Sequence, residues 1–208
     1  VFFIELGRET VIAEPGLQEA VDRGIRRACR DAYLRASIVA DPFRRENTGD
    51  NTPAIIHLFP ADGERLSITL MAKGAGSENM SVLKMFTPSA EREEIIDFIV
   101  EVVREAGPNP CPPLIVGIGL GGNFEEAPLL AKRALLRPFR HEHPDPFYAR
   151  MEQDLLERIN QTGIGPAGLG GKTTCLNCHI LAAPCHIASL PVAVNLQCHA
   201  ARHKTAVL

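Results

Sequence analysis

Residues 114–122, with the sequence LIVGIGLGG, decide the fold of this chain. The run is short and apolar, it follows two prolines, and a helical pattern comes after it over residues 125–136. An apolar run of this length between such boundaries is typical of a buried strand. The sequence therefore predicts a buried strand over residues 114–120 and, behind it, a helix that ends before Pro138.

Strand and helix patterns also alternate on the amino-terminal side of this segment. The first four residues, VFFI, are typical of a strand, and apolar residues recur at helical spacing within 17–28. Residues 54–59 and 66–71 are short β-rich runs, and Asp62-Gly63 between them is a hairpin signal. We therefore expect these two runs to pair as a hairpin.

Helix boundaries punctuate the second half of the chain. Thr87-Pro88 offers an N-cap followed by proline at the first helical position, and Gly107-Pro108 marks the end of that helix. Asp145-Pro146 begins another helix by the same signal. Residues 163–191 are rich in glycine, threonine, cysteine and proline, so they are predicted to form loops.

This alternation predicts an α/β fold, with a mixed α+β arrangement as the alternative. We expect a single domain over residues 1–208, built as a sheet flanked by helices, whose strand order the sequence does not give. The chain starts at Val1, inside a predicted strand with no residues leading into it. We therefore expect a fragment that is incomplete at both ends.

Composition excludes several classes of partner. The 208 residues are 45% hydrophobic, which is enough to bury a core, and the formal net charge is −3. The basic residues are scattered, so neither a nucleic acid nor an anionic membrane surface is a predicted partner. The apolar stretches fall far below the roughly 20 residues that span a bilayer. Six cysteines without a secretory segment indicate a reducing, cytoplasmic location.

A glycine pattern offers one alternative function. Gly117 to Gly122 satisfy the G-x-G-x-x-G spacing after a strand and before a helix, which is the context of a dinucleotide-binding loop. No acidic residue follows a second strand about 20 residues later, as a ribose would require. An NAD-dependent dehydrogenase is therefore an alternative, and a turn in which backbones pack closely is the other interpretation.

A second glycine-rich loop could bind an anion. Residues 168–173, GLGGKT, resemble a phosphate-binding loop, but Pro166 stands where its first glycine is required. Glycines expose backbone N–H groups, and Lys172 and Thr173 add donors. The loop, with Lys172, is therefore predicted to bind an anion such as a substrate carboxylate.

The segment from Cys175 to His179, CLNCH, matches the pattern of covalent haem attachment. Together with Cys198 and His199 it could also imitate a zinc site. A non-enzymatic haem- or zinc-binding module is thus a further alternative. Otherwise these cysteines are small residues in a packed segment.

Two more positions can carry chemistry. Cys111 lies between prolines, which fix the backbone and could hold a thiolate rigidly at the start of the following strand. Residues 186–203 bring imidazoles, a thiol and a guanidinium into one short stretch. A lone cysteine is more often a buried small residue, so neither segment decides a function by itself.

Several segments, taken in order, resemble one family. The segments are NTGDNTP at 47–53, KGAGSENMS at 73–81 and AGPNPCPP at 106–113, followed by 117–122, 163–174 and 186–203. Together they resemble the class I fumarate hydratases and the alpha subunits of L-tartrate dehydratase. The resemblance runs over essentially the whole chain.

This resemblance implies a [4Fe–4S] cluster held by three cysteines. Cys111 and Cys198 match two of these ligands, and the third belongs to a C-Q-D-T-G motif expected just upstream of Val1. Cys175 and Cys178 do not match cluster ligands of the family.

The resemblance further implies reversible hydration of a four-carbon dicarboxylate, either fumarate to malate or tartrate to oxaloacetate. Three thiolates on four irons leave one iron open to bind the substrate. His186 matches the catalytic neighbourhood, where a histidine suits proton transfer.

For the substrate carboxylates, Arg35 is our first choice of clamp and the N–H groups of Gly74 and Gly76 are the second. Arg35 could otherwise be an ordinary helix-end cation. A beta subunit or carboxy-terminal domain is expected to complete the site in a homo- or hetero-oligomer, so the chain alone is predicted to be inactive.

Overall fold

The computed structural model describes residues 1–139 and 141–208, and it has the mixed α/β class that the sequence predicts. The strands are β1 (Phe2–Gly7), β2 (Ile56–Ala61), β3 (Leu66–Ala72), β4 (Val82–Phe86), β5 (Leu114–Gly122), β6 (Cys175–Cys185), β7 (Leu190–Cys198) and β8 (Arg202–Val207). The helices are α1 (Leu17–Asp31), α2 (Ala75–Glu78), α3 (Arg92–Ala106), α4 (Glu126–Ala134) and α5 (Pro146–Gln161).

The described residues form two four-stranded sheets and divide into two compact units. The first unit contains Val1–Ala72 and His203–Leu208, and the second contains Lys73–Arg202. Among the described residues, the helices are all too short or too polar to cross a membrane.

The first unit is built on the sheet order β2-β1-β3-β8. Strand β1 lies between β2 and β3, parallel to β2 and antiparallel to β3. The hairpin predicted from Asp62-Gly63 is therefore wrong, although both of its strands exist. The turn connects two strands that each pair with β1, because the apolar Phe3 and Ile4 bury best in the middle of the sheet.

The second unit is built on the sheet order β4-β7-β5-β6. Strand β5 runs parallel to β6 and antiparallel to β7. Val116 and Ile118 point from β5 into the core that α3 and α5 cover. The predicted strand at 114–120 is confirmed, and it is buried on both faces because α4 covers the opposite one.

The glycines of β5 allow α4 to approach the sheet. A Cβ atom on Gly117 would lie 2.1 Å from the carbonyl oxygen of Ala131, and one on Gly119 would lie 2.0 Å from that of Ala127. These glycines are inside a strand, whereas a dinucleotide fingerprint needs them in the turn behind it. The alternative of an NAD-binding loop at Gly117 to Gly122 is therefore wrong, and close packing of backbones explains the pattern.

Two element boundaries differ from the prediction. Helix α3 begins at Arg92 rather than at Pro88, because the Thr87 hydroxyl bonds to the Ser89 hydroxyl at 3.1 Å instead of capping a helix. Residues 175–185, predicted as loop, form strand β6. The helix from Asp145-Pro146 is confirmed, with the Asp145 carboxylate accepting from the backbone N–H of Phe147.

Candidate active site at one end of the second sheet

Cys111 and Cys198 lie at the same end of the second sheet. Cys198 is the last residue of β7 and pairs with Leu114, the first residue of β5, because these two strands are antiparallel. Cys111 stands three residues before Leu114, and its carbonyl oxygen is 3.2 Å from Nδ1 of His199. Both thiols are free, with Cys111 exposed and Cys198 half-buried.

The loop that carries Cys111 is held in a strained conformation. Cys111 has a φ of 59°, in the left-handed region that residues other than glycine seldom adopt. The glycine-rich loop packs against it: a Cβ on Gly168 would lie 2.4 Å from Cβ of Pro108, and Ala167 N–H donates to the carbonyl of Pro112 at 2.8 Å. Surrounding contacts therefore fix the backbone of this cysteine.

The predicted anion-binding residues of the second unit lie at this end as well. Lys172 is exposed and stands three residues before Cys175, which pairs with Leu114. Gly74 precedes the short helix α2, and a Cβ on Gly76 would lie 3.2 Å from the carbonyl oxygen of Asn109. The geometry thus brings these donors to the cysteine end of the sheet, and their binding of substrate stays a prediction.

A cluster of ionic groups around the buried Lys73 lies beside the strand of Cys198, and the sequence did not reveal it. The side chain of Lys73 is 4% exposed, and its Nζ lies 3.2 Å from Oε2 of Glu78. Glu78 also forms an ion pair with Lys132 of α4. The three side chains together carry one positive charge. Lys73 directly follows the apolar strand β3, which is a sequence signal for a buried lysine. The sequence does not identify its partners, because they include residues of β7 and α4 that are distant in the chain.

Burial and mutual charge perturb these groups. Burial lowers the pKa of Lys73, while the negative charge of Glu78 acts in the raising direction. For Glu78 burial acts to raise the pKa, but the hydrogen bond and charge of Lys132, with Lys73, outweigh it and hold the pKa below its ordinary value. Glu78 therefore stays ionised between two cations.

His186 lies away from the two cysteines. It follows Cys185, which pairs with Gly122, the last residue of β5. Cys198 pairs with the first residue of β5, and the eight residue steps between correspond to about 26 Å at about 3.3 Å per residue. Within the second unit the structure thus puts His186 at the opposite end of the sheet, and its catalytic role stays a prediction.

A mostly apolar cavity occupies that opposite end. Its volume is about 300 Å³, and Cys185 contributes to its wall. The remaining wall is largely aromatic and aliphatic, and includes Leu120, Phe147, Tyr148, Met151 and Leu190. No sequence signal predicted this cavity, because its wall is assembled from α3, β5, α5, β6 and the start of β7.

Arg35 belongs to the first unit. Its side chain is exposed, and its Nε donates to the Ser37 hydroxyl at 3.3 Å. The Asn51 side chain donates to the Arg35 carbonyl at 3.0 Å, so the asparagine-rich segment holds the backbone here. A clamp on substrate by Arg35 stays a prediction.

The CLNCH segment does not form the haem or zinc site considered above. Cys175, Cys178 and His179 are buried at 2%, 0% and 1% exposure, and the two sulfurs are 3.8 Å apart in the core. Haem attachment requires accessible cysteines. Over residues 1–139 and 141–208, no three metal-binding side chains gather to hold an ion. Both alternatives are therefore wrong, because these residues point into the packed interior.

Comparison with known proteins first defines the class, which is that of the hydro-lyases, enzymes that add or remove water. The chain belongs to the fumarate hydratase (Fumerase) family, whose model matches residues 1–207. The family resemblance predicted from the motifs is thereby confirmed.

Two relatives have tartrate dehydratase names. A protein of Methanocaldococcus jannaschii, provisionally named L(+)-tartrate dehydratase subunit alpha, is 43% identical over 97% of this chain and 73% of its own length. The L(+)-tartrate dehydratase subunit alpha of Escherichia coli K12 is 33% identical over 99% of this chain and 68% of its own length. This chain is thus similar to alpha subunits over nearly its whole length.

Proposed function

We propose that this chain is the cluster-binding part of an enzyme that adds or removes water at a four-carbon dicarboxylate, fumarate or tartrate. The observation that carries the proposal is the meeting of Cys111 and Cys198 at one end of the second sheet. Residues far apart in the chain converge there as free thiols with solvent access.

The residues present fit two of the three ligands of a [4Fe–4S] cluster. Thiolates are the usual ligands of such clusters, and one of these two sulfurs is exposed while the other is half-buried. The third thiol is proposed to come from a segment upstream of Val1. When bound, a cluster held by three cysteines supplies one iron with an open position, a Lewis acid toward the substrate hydroxyl.

The protein's own part is to bind the two carboxylates. Lys73, Glu78 and Lys132 leave one positive charge beside Cys198, which favours an anion at this end of the sheet. Lys172 and the N–H groups of Gly74 and Gly76 add donors to the same end. Arg35 is proposed to hold a carboxylate in two parallel hydrogen bonds.

His186 is proposed to take part in moving the proton at the neighbouring carbon. Because its own chain separates it from Cys198 by about 26 Å, it can reach such a substrate only from a second copy of this chain. The functional assembly is therefore proposed to contain at least two copies, together with a beta subunit like the one that the names of the relatives imply.

The decisive test is cluster content. The chain would be expressed with its upstream segment and its partner subunit, and the cluster reconstituted without air. We expect Cys111→Ser and Cys198→Ser to lose iron, acid-labile sulfide and turnover of fumarate or tartrate. Cys185→Ser, an exposed cysteine at the opposite end, is the matched control and should keep its cluster. Full cluster content in Cys111→Ser would refute the ligand assignment.

Complementation tests the role of His186 in a second copy. His186→Asn and Cys198→Ser are each expected to be inactive, but chains co-expressed with one change each form mixed assemblies. Such an assembly contains one site with both native residues, so a substantial fraction of activity should return. Mixed assemblies without any activity would show that both residues act from the same chain, whereas native activity of His186→Asn alone would show that His186 has no catalytic role.

A further inference from the structure

Strand β7 loses its neighbour just before it reaches Cys198. The pairing of β4 with β7 runs from Phe86 and Leu190 to Val82 and Val194, and stops there. The peptide groups beyond Val194 on that edge therefore need other partners, because buried backbone groups without hydrogen bonds are costly.

Side chains of the segment 73–81 replace the missing strand at Leu196. The carbonyl oxygen of Leu196 accepts from Nζ of Lys73 at 2.5 Å, and its N–H donates to the hydroxyl of Ser81 at 3.4 Å. Leu196 is fully buried and stands two residues before Cys198. Both hydrogen-bonding groups of this residue are thus held from one segment.

The position of Lys73 is itself fully determined. The ammonium group donates two hydrogen bonds, to the Leu196 carbonyl and to the Ser77 hydroxyl at 3.1 Å, and it forms an ion pair with the Glu78 carboxylate at 3.2 Å. Ser77 is buried and donates in turn to the carbonyl of Gly74 at 3.0 Å. Lys132 of α4 holds the far side of Glu78, so α4, α2 and β7 meet at this ammonium.

We propose that Lys73 is a positioning residue for Cys198. Its ammonium group holds the carboxy-terminal end of β7 through the carbonyl of Leu196. The sulfur of Cys198 is thereby oriented toward the loop of Cys111. The buried positive charge also favours electron-rich sulfur at this place. The role of this positioning in cluster binding rests on the proposed function. The positioning itself depends only on contacts within the second unit.

The test compares Lys73→Met, which keeps the length of the chain but removes the charge, with Lys73→Arg, which keeps the charge. Lys84→Met is the matched control, because Lys84 lies on β4 of the same sheet and its ammonium group lies over aromatic rings rather than at the end of β7. In the full-length protein without a cluster, a short reagent with two thiol-reactive ends is used to link Cys111 to Cys198. The linked peptides are counted by mass spectrometry.

We expect a several-fold loss of the link in Lys73→Met, partial recovery in Lys73→Arg and a native yield in Lys84→Met. After reconstitution, Lys73→Met should also shift the reduction potential of the cluster to more negative values, because a nearby positive charge is lost. A native link yield and an unchanged potential in folded Lys73→Met would overturn the inference. If Lys73→Met does not fold, Ser77→Ala decides, because the Ser77 hydroxyl holds the Lys73 ammonium: a native yield there overturns the inference, and a lowered one supports it.

The outcomes separate the inference from the proposed function. A link in the native protein that Lys73→Met loses, combined with no cluster in any variant, supports the positioning role and refutes the iron–sulfur function. Cluster uptake in the native protein with no effect of Lys73→Met refutes only the positioning role. Absence of a link in the native protein refutes both, because the two thiols then do not face each other.

Discussion

The same residue types have different roles at the cysteine end of the second sheet and in the interior of the same unit. At the cysteine end, Cys111 and Cys198 are free and reach solvent, and the ion cluster of Lys73 beside them carries a surplus of positive charge. These features suit the binding of something negative. Contacts from neighbouring segments hold both cysteines in place: Lys73 bonds to the strand of Cys198, and the glycine-rich loop bonds to the segment of Cys111.

In the interior, cysteines, a histidine and an ion pair serve packing. Cys175 and Cys178 lie in the apolar core, and Arg137 and Glu152 satisfy each other and the backbone of Ile180. The comparison teaches that burial and convergence separate the candidate ligands from the structural residues. A local pattern such as CLNCH carries less information than two cysteines brought together from distant segments.

The largest expected contrast is in thiol reactivity. The hydrogen bond that Cys178 shares with Cys175, together with burial, raises the pKa of Cys178, which keeps it a neutral, unreactive thiol. We expect Cys111 and Cys198 to be alkylated in the folded protein on the order of a hundredfold faster than Cys175 and Cys178. Timed alkylation followed by peptide mass spectrometry measures this. In denaturant all four rates should converge; rapid labelling of Cys178 in the folded chain would break the comparison.

The next effect concerns the buried ion pair of Arg137 and Glu152. Their side chains are 12% and 9% exposed, and Glu152 also accepts from the Ile180 N–H at 2.7 Å. Removing one partner leaves a buried charge unpaired, so Arg137→Met should lower the free energy of unfolding by about 3 kcal/mol or more. Urea denaturation measures it. Arg158→Met, which removes only exposed ion pairs, is the control and should change stability little.

Much of the fold could be predicted because local signals and tertiary packing agree. The strand at β5 and the helix behind Asp145-Pro146 are examples, where an apolar run and a capping aspartate decide the local structure. The hairpin prediction failed because the turn signal at Asp62-Gly63 carries no information about β1, which lies between β2 and β3 and pairs with both. The loop prediction for residues 175–185 failed because asparagine and proline are poor strand formers, and pairing of β6 with β5 overrides that tendency.

The candidate site could be predicted only in part. The two cysteines followed from the family resemblance, but the burial of Lys73 depends on contacts with α2, α4 and β7 that no single segment encodes. The separation of His186 from Cys198 could have been predicted from the sequence. Residues 190–198 read LPVAVNLQC, and an extended strand of that length places its two ends far apart.

The smallest expected effect is the pH dependence of stability that His179 causes. It tests whether the interior of the second unit keeps its histidine uncharged. Burial, followed by the positive charges of Arg137 and His141, lowers the pKa of His179 to about 4. In the unfolded chain a histidine titrates near about 6.5. The unfolded state therefore takes up a proton before the folded state does, and stability is lost as pH falls from about 6.5 towards about 4.

The difference of roughly 2.5 pKa units corresponds to at most about 3 kcal/mol over that range. Urea denaturation of the native protein and of His179→Gln between pH 7 and pH 4 measures it. We expect the variant to lose less stability on acidification than the native protein, because its side chain does not titrate. His203→Gln, an exposed histidine, should keep the native slope. An equally steep loss in His179→Gln would mean that the interior histidine is protonated in the folded chain, and that the interior tolerates charge as the cysteine end does.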